Sequence, residues 1–147
     1  MPLFSTPTWK RLVKNVASDA DFASPASTSQ IVAVEQALGI QLPSDLRELL
    51  LECDGIIAHY SGIIWSSSEI QKQNLMFRTN KDFKGLYMPF DHLLFFGADC
   101  GGDQFAFAIH ADGEIHKHDI FRWKHETDER VWAANSLQIF FERKAFK

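Results

Sequence analysis

Cysteine is scarce: Cys53 and Cys100 are the two in 147 residues, too few for the disulfide framework that staples small secreted domains. Positive charge is also short. Against 19 Asp and Glu stand 15 Lys and Arg, a net charge of −4 with a pI of about 5.8, so the chain as a whole lacks the electrostatic footprint of a nucleic-acid binder. No apolar run approaches the ~18 residues of a membrane span, and the opening MPLFSTPTWKRLVKNVA has no apolar segment of a signal peptide. The expectation is a cytoplasmic protein with reduced thiols, with neither nucleic acid nor membrane as partner. Also missing are GxxxxGK[ST], HExxH and a twelve-residue calcium loop closed by Glu. The sequence therefore argues for no enzyme activity and no cofactor.

Aromatics are plentiful, with 13 Phe and 4 Trp. Such side chains fit a pleated surface and dominate interfaces, which favours a sheet-rich core or an aromatic docking surface. The length suits a single globular domain that needs no staple.

Residues 5–17 read as an amphipathic helix: Ser5 or Thr6 caps it, Pro7 stands near its first position, and Trp9, Leu12, Val13 and Val16 share a face. ASDADFASPASTS then reads as a linker, which divides the chain into an N-terminal helix and linker (1–26) and a main domain (27–147). Ser27 or Thr28 caps a second helix with Ile31, Val34 and Leu38 on one stripe and Gly39 as its stop. Ser44 or Asp45 caps a third, with Leu46, Leu49, Leu50 and Cys53 inward and Gly55 at its end. IIAHYSGIIW predicts one strand or two short ones, Ser66 to Ser68 a helix cap leading to about Leu75, NKDFKGLYMPF a turn-rich stretch, and 92–98 a strand buried on both faces.

For the next hairpin the pattern predicts a three-residue turn, Ala111 to Gly113, placing Ile109 opposite Ile115 and Phe107 opposite Lys117. Phe105, Phe107, Ile109 and Ile115 then face inward, and Ala106, Ala108, His110, Glu114, His116 and His118 line the other side. FRWKHETDERVW reads as a charged connection with aromatic anchors, and Asn135 or Ser136 caps a last helix carrying Leu137, Phe140 and Phe141. The sum is an α+β fold: N-terminal helices, a central antiparallel or mixed sheet of about four to six strands, and a C-terminal helix packed on it.

GADCGGD, residues 97–103, is the most conspicuous loop. It has no Lys and no following helix for phosphate, and Asp99 and Asp103 are too few oxygens for calcium. Gly101 and Gly102 permit a tight bend, and Asp99 and Asp103 shape it by accepting backbone N–H bonds. Acidic neighbours also disfavour a thiolate at Cys100, and Cys53 reads as a small hydrophobe. His116 and His118 at i, i+2 point the same way from a strand, so two imidazoles could share a zinc. With no obvious third and fourth ligand beyond Glu114, no metal ligand is assigned. The face carrying His110, Glu114, His116 and His118, bordered by Trp65 and Trp123, is the candidate partner-binding surface.

IVAVEQALGIQLPSDLRELLLECDG resembles the N-terminal signature of the SMI1/KNR4 (SUKH) superfamily through Glu35, Leu38, Gly39, Leu42, Pro43, Asp45, Arg47, Leu50 and Gly55, with Asp54 where the family often has Asn. Gly97, Asp99, Gly102, Asp103 and Phe105 are similar to its G.D..GD.F segment, and SLQIFFE to its closing helix. The resemblance implies a non-catalytic α+β binding domain. In bacteria it implies an immunity protein that neutralises a polymorphic, often nuclease, toxin; in eukaryotes, a regulatory or scaffold interaction module. A small metal-dependent hydrolase using the hairpin histidines is the remaining alternative, and oligomeric state stays open.

Overall fold

The computed structural model describes residues 8–147, so the capping expected of Ser5, Thr6 and Pro7 lies outside the described residues. Helix α1 (Thr8–Val16) buries Trp9 and Val13, and the Glu52 carboxylate accepts the Trp9 N–H at 2.9 Å. The stretch read as a linker contains a short strand, β1 (Asp21–Phe22). Helix α2 (Thr28–Leu38) starts at Ser27, whose hydroxyl accepts from Gln30 N while the Gln30 side chain returns to Ser27 N, and it stops at Gly39 in the left-handed region, φ 67. Helix α3 (Ser44–Glu52) buries Leu46, Leu49 and Leu50 as the spacing predicts. Its N-cap, however, is Pro43, with no side-chain cap, rather than Ser44 or Asp45.

IIAHYSGIIW splits into β2 (Ile56–Ala58) and β3 (Ser61–Ile64) around a two-residue turn, with both His59 and Tyr60 at positive φ, 54 and 64. That geometry matches the right-handed strand twist and usually selects Asn-Gly. Here the Asp19 carboxylate accepts the His59 N–H at 2.7 Å. Helix α4 (Ser67–Thr79), capped by Ser66, runs past Leu75, and a 3-10 turn, Lys81–Phe83, follows. Next come β4 (Leu93–Ala98) and β5 (Gln104–Ala108). FRWKHETDERVW is not a connection but part of a hairpin, β6 (Ile120–Lys124) and β7 (Glu129–Ala134). Helix α5 (Leu137–Glu142) starts at Ser136, whose hydroxyl accepts from Ile139 N.

The strands form two antiparallel sheets, β1-β2-β3 and β4-β5-β6-β7, which makes an α+β fold with seven strands where about four to six were expected in one sheet. The sheets meet where Trp65 N donates to Phe96 O at 2.8 Å. A bulge in β4, between Phe95 and Gly97, brings Gly97 so close to β3 that an added Cβ would stand 1.7 Å from the Ile63 carbonyl oxygen.

Both faces of the four-stranded sheet are covered along β4 and β5, whereas β7 leaves Val131 and Trp132 exposed. On one, Phe96, Phe105, Phe107 and Ile120 pack with Phe140, Phe141 and the apolar stripes of α1, α2 and α3. On the other, Phe95, Ala106, Leu93 and Trp123 meet Phe77 and Phe90 in a smaller, ring-dominated cluster, with ring centroids 5.0 Å apart for Phe77 and Phe95 and 5.3 Å for Phe90 and Trp123. Burial of each such ring contributes about 1.5–3 kcal/mol. Ala106, expected on an open face, is thus fully buried beneath the second cluster.

Candidate partner-binding surface

The three-residue turn forms as the sequence predicts: His110 N donates to Glu114 O at 2.8 Å, Gly113 N to His110 O at 2.9 Å, and Gly113 has φ 84. Ile109 and Ile115 both pack, half-buried, against the larger core. The register beyond it is different. Phe107 lies opposite Ile120, not Lys117, so three residues are looped out between turn and ladder. Freed from the ladder, His116 and His118 do not share a strand face. His116 Nε2 turns back onto Asp112 Oδ2, with Glu114 Oε2 4.0 Å away, and its ring centroid lies 5.0 Å from that of His110. His118 turns the other way, its Nδ1 3.8 Å from Asp45 at the start of α3. The His116 bond, with the Glu114 N–H, holds the Asp112 carboxyl below its ordinary range.

Between this hairpin and the α2–α3 link runs a groove of about 640 Å³, lined by Glu35, Gln41, Arg47, Glu114, Ile115 and His118 among others. Its floor is fixed by a clasp. Glu35 Oε2 accepts Leu42 N at 2.8 Å and Arg47 at 2.9 Å, and Arg47 also donates to Leu42 O at 3.2 Å. Glu35 and Arg47 therefore hold the Leu42–Pro43 link in place, while the hairpin supplies the groove's exposed wall.

In GADCGGD, Asp99 Oδ1 accepts from Gly101 N at 2.8 Å and Asp103 N at 3.0 Å, and Asp99 also pairs with Arg122. Asp103 accepts from the backbone and the Nδ1 side of His125, at 3.2 and 2.7 Å. Partial burial raises the Asp103 pKa, but those hydrogen bonds and the charges of His125 and Arg122 outweigh it and hold the carboxyl below its usual value. Gly102, at φ 99, lies under the His125 ring, where a Cβ would approach to 3.1 Å. Cys100 is exposed, whereas burial pushes the Cys53 thiol up to about 12.

Trp123 does not border the hairpin surface. It is 3% exposed and sits in the ring cluster with Nε1 donating to Asp128 at 2.8 Å, so it is a core residue. Trp65 is half-buried and lines a separate hollow with Phe22, Ile57 and Glu69. His110, Glu114, His116 and His118 thus share one end of the molecule, without either tryptophan at their edge. Sequence reasoning missed Arg122, His125, Asp128 and Arg130. Asp128, at φ 63 in the β6–β7 turn, accepts from Trp123 Nε1, from Met88 N at 2.8 Å and from Arg130 at 3.2 Å. Only an alternation through IFRWK and ERVWAA, masked by charge, could have signalled them.

The Glu35–Arg47 clasp, the glycine-aspartate loop and the closing helix now stand in one ordered framework, and the model of the SMI1/KNR4 family (SUKH-1) matches residues 25–143. The chain belongs to the SMI1/KNR4 family. The match begins at residue 25, so α1 and β1 precede it, although α1 packs on α3 and α5 and β1 pairs with β2. No curated protein matches the sequence. At the level of the family, SMI1/KNR4 membership supports an immunity-protein-like module that works through protein–protein interaction. Among the described residues, no helix is long and apolar enough to cross a membrane.

Proposed function

We propose that this SMI1/KNR4 domain is a non-catalytic, cytoplasmic immunity module that binds a toxin domain, of a basic nuclease type, and neutralises it by occlusion. The docking surface is the groove together with the hairpin carrying His110, Glu114, His116 and His118. The observation that carries this reading is the departure of 110–119 from the sheet. Its ladder with β6 ends at Phe107 and Ile120, and the segment beyond presents Asp112, Glu114 and His116 to solvent beside an open groove. Apart from Ile109 and Ile115, these side chains add nothing to either core. An acidic projection on a chain of net charge −4 steers a basic partner and supports fast association. Asp99 and Asp103 serve the fold rather than the contact.

The test pairs the chain with the C-terminal domain of a toxin encoded immediately upstream of its gene. Co-expression should protect cells and the two should co-purify. Asp112→Lys combined with Glu114→Lys should keep the circular dichroism spectrum and abolish protection. Protection retained by that folded variant would refute the surface. Absence of both protection and co-purification would refute the immunity reading itself and leave a regulatory scaffold.

A further inference from the structure

The tip of the hairpin brings together a set of donor atoms that the periodicity of the sequence did not. We propose that Asp112, Glu114 and His116 form a site for one divalent transition-metal ion of the zinc or nickel class. One ligand atom from each lies within 4.8 Å of the other two, His116 Nε2 being in contact with Asp112 Oδ2 and 4.0 Å from Glu114 Oε2. An ion that sits about 2.0–2.2 Å from imidazole nitrogen and carboxylate oxygen can occupy the space between three such atoms after small side-chain rotations.

The support around the donors is built from other atoms. Asp112 Oδ1 accepts the Glu114 N–H at 3.0 Å, which leaves Oδ2 free to face His116. The His116 amide is directed at His110 Nδ1, 3.4 Å away. His110 N and Glu114 O close the turn at 2.8 Å. These contacts order the turn that carries the three residues, and the ion would take the place of the His116–Asp112 hydrogen bond. His110 is a positioning residue here. His118, pointing to Asp45, is outside the set.

The donor chemistry selects the ion. Imidazole with two carboxylates suits zinc, nickel, cobalt or copper, whereas magnesium and calcium want oxygen alone. Three protein ligands leave a fourth position open to water or to a side chain of another molecule. The two positive charges of the ion would offset the two carboxylates, so loading would neutralise the acidic tip. This site stands on its own geometry and does not depend on the toxin-binding reading.

Isothermal titration of the full chain with zinc chloride, and separately with nickel chloride, should give one ion per chain. Magnesium chloride should give no binding. His116→Ala should weaken binding by more than about 100-fold, and Asp112→Asn or Glu114→Gln by about 10-fold or more, since even outer partners of metal sites are worth 10–100-fold. His118→Ala should leave the affinity unchanged. These residues belong to neither core, and unaltered circular dichroism would check that each variant is folded. No heat with either transition metal, equal binding of magnesium, or an affinity untouched by His116→Ala would each overturn the assignment.

Discussion

Gly97→Ala adds one methyl group at the seam between the two sheets. That carbon would stand 1.7 Å from the Ile63 carbonyl oxygen and 2.9 Å from the carbonyl carbon. Ordinary contact needs about twice the shorter distance, and the clash is between a Cβ fixed by its own backbone and a backbone carbonyl, so no rotamer change relieves it. The strands must part by more than an ångström. Parting them stretches the Trp65–Phe96 hydrogen bond, 2.8 Å, worth about 1 kcal/mol. It also loosens Ile63, Ile64 and Phe96, each at most 2% exposed, where overpacking costs about 1–3 kcal/mol or more. The total, about 2–4 kcal/mol, is a large fraction of the 5–15 kcal/mol that holds a typical domain together. Urea denaturation followed by tryptophan fluorescence should place the midpoint well below that of the parent, with melting about 5–15 °C lower. Gly62→Ala is the control, because its added carbon meets only Trp65 Cδ1 at 3.6 Å. A loss below about 1 kcal/mol for Gly97→Ala, or an equal loss for Gly62→Ala, would refute the close approach as the reason for glycine.

Gly102→Val should destabilise by about 1–3 kcal/mol, through its positive φ and the clash with His125, whereas Cys100→Ser, at an exposed site, should move the urea midpoint within about 0.5 kcal/mol. Asp128→Ala removes the acceptor shared by Trp123, Met88 and Arg130. It should cost about 2–4 kcal/mol and shift the Trp123 emission, with Asp128→Asn costing less. Acid should weaken the fold through Asp103 and Asp128. In Asp128, as in Asp103, burial raises the pKa but is outweighed, here by bonds from Met88, Trp123 and Arg130, so both are held low. Their contribution is complete above the unfolded value of about 4 and disappears as pH falls through the lower folded values. Glu52, pushed up by burial against the Trp9 bond, works in the opposite direction, and a urea midpoint that did not fall below pH 4 would contradict the dominance of the two aspartates.

Where a local signal decides the structure, the sequence is readable. Ser27 with Gln30, Gly39 and Ser136 cap helices by short-range hydrogen bonds or backbone freedom, and each stands where its residue type predicts. The turn at Gly113 obeys the same rule. The hairpin register failed because extrapolating from a turn assumes a continuous ladder, and three looped-out residues before Ile120 break it. The β6–β7 hairpin was hidden because Arg122 and Arg130 spend their charge internally, on Asp99 and Asp128 and over the rings of Phe105 and Phe90. Residues that look solvated in sequence are thus partly enclosed. The candidate surface was half legible: its turn forms where the residues predict, but the partition of its histidines depends on Asp112 and Asp45, one of them far away in the chain.

A four-stranded sheet gripped on both faces behaves as a bulkhead. The segment from 110 to 119 hangs from its rim, so substitutions there, Ile115 apart, load neither compartment. Such a design separates the residues that hold the two cores from those at the tip, whose side chains the cores do not constrain.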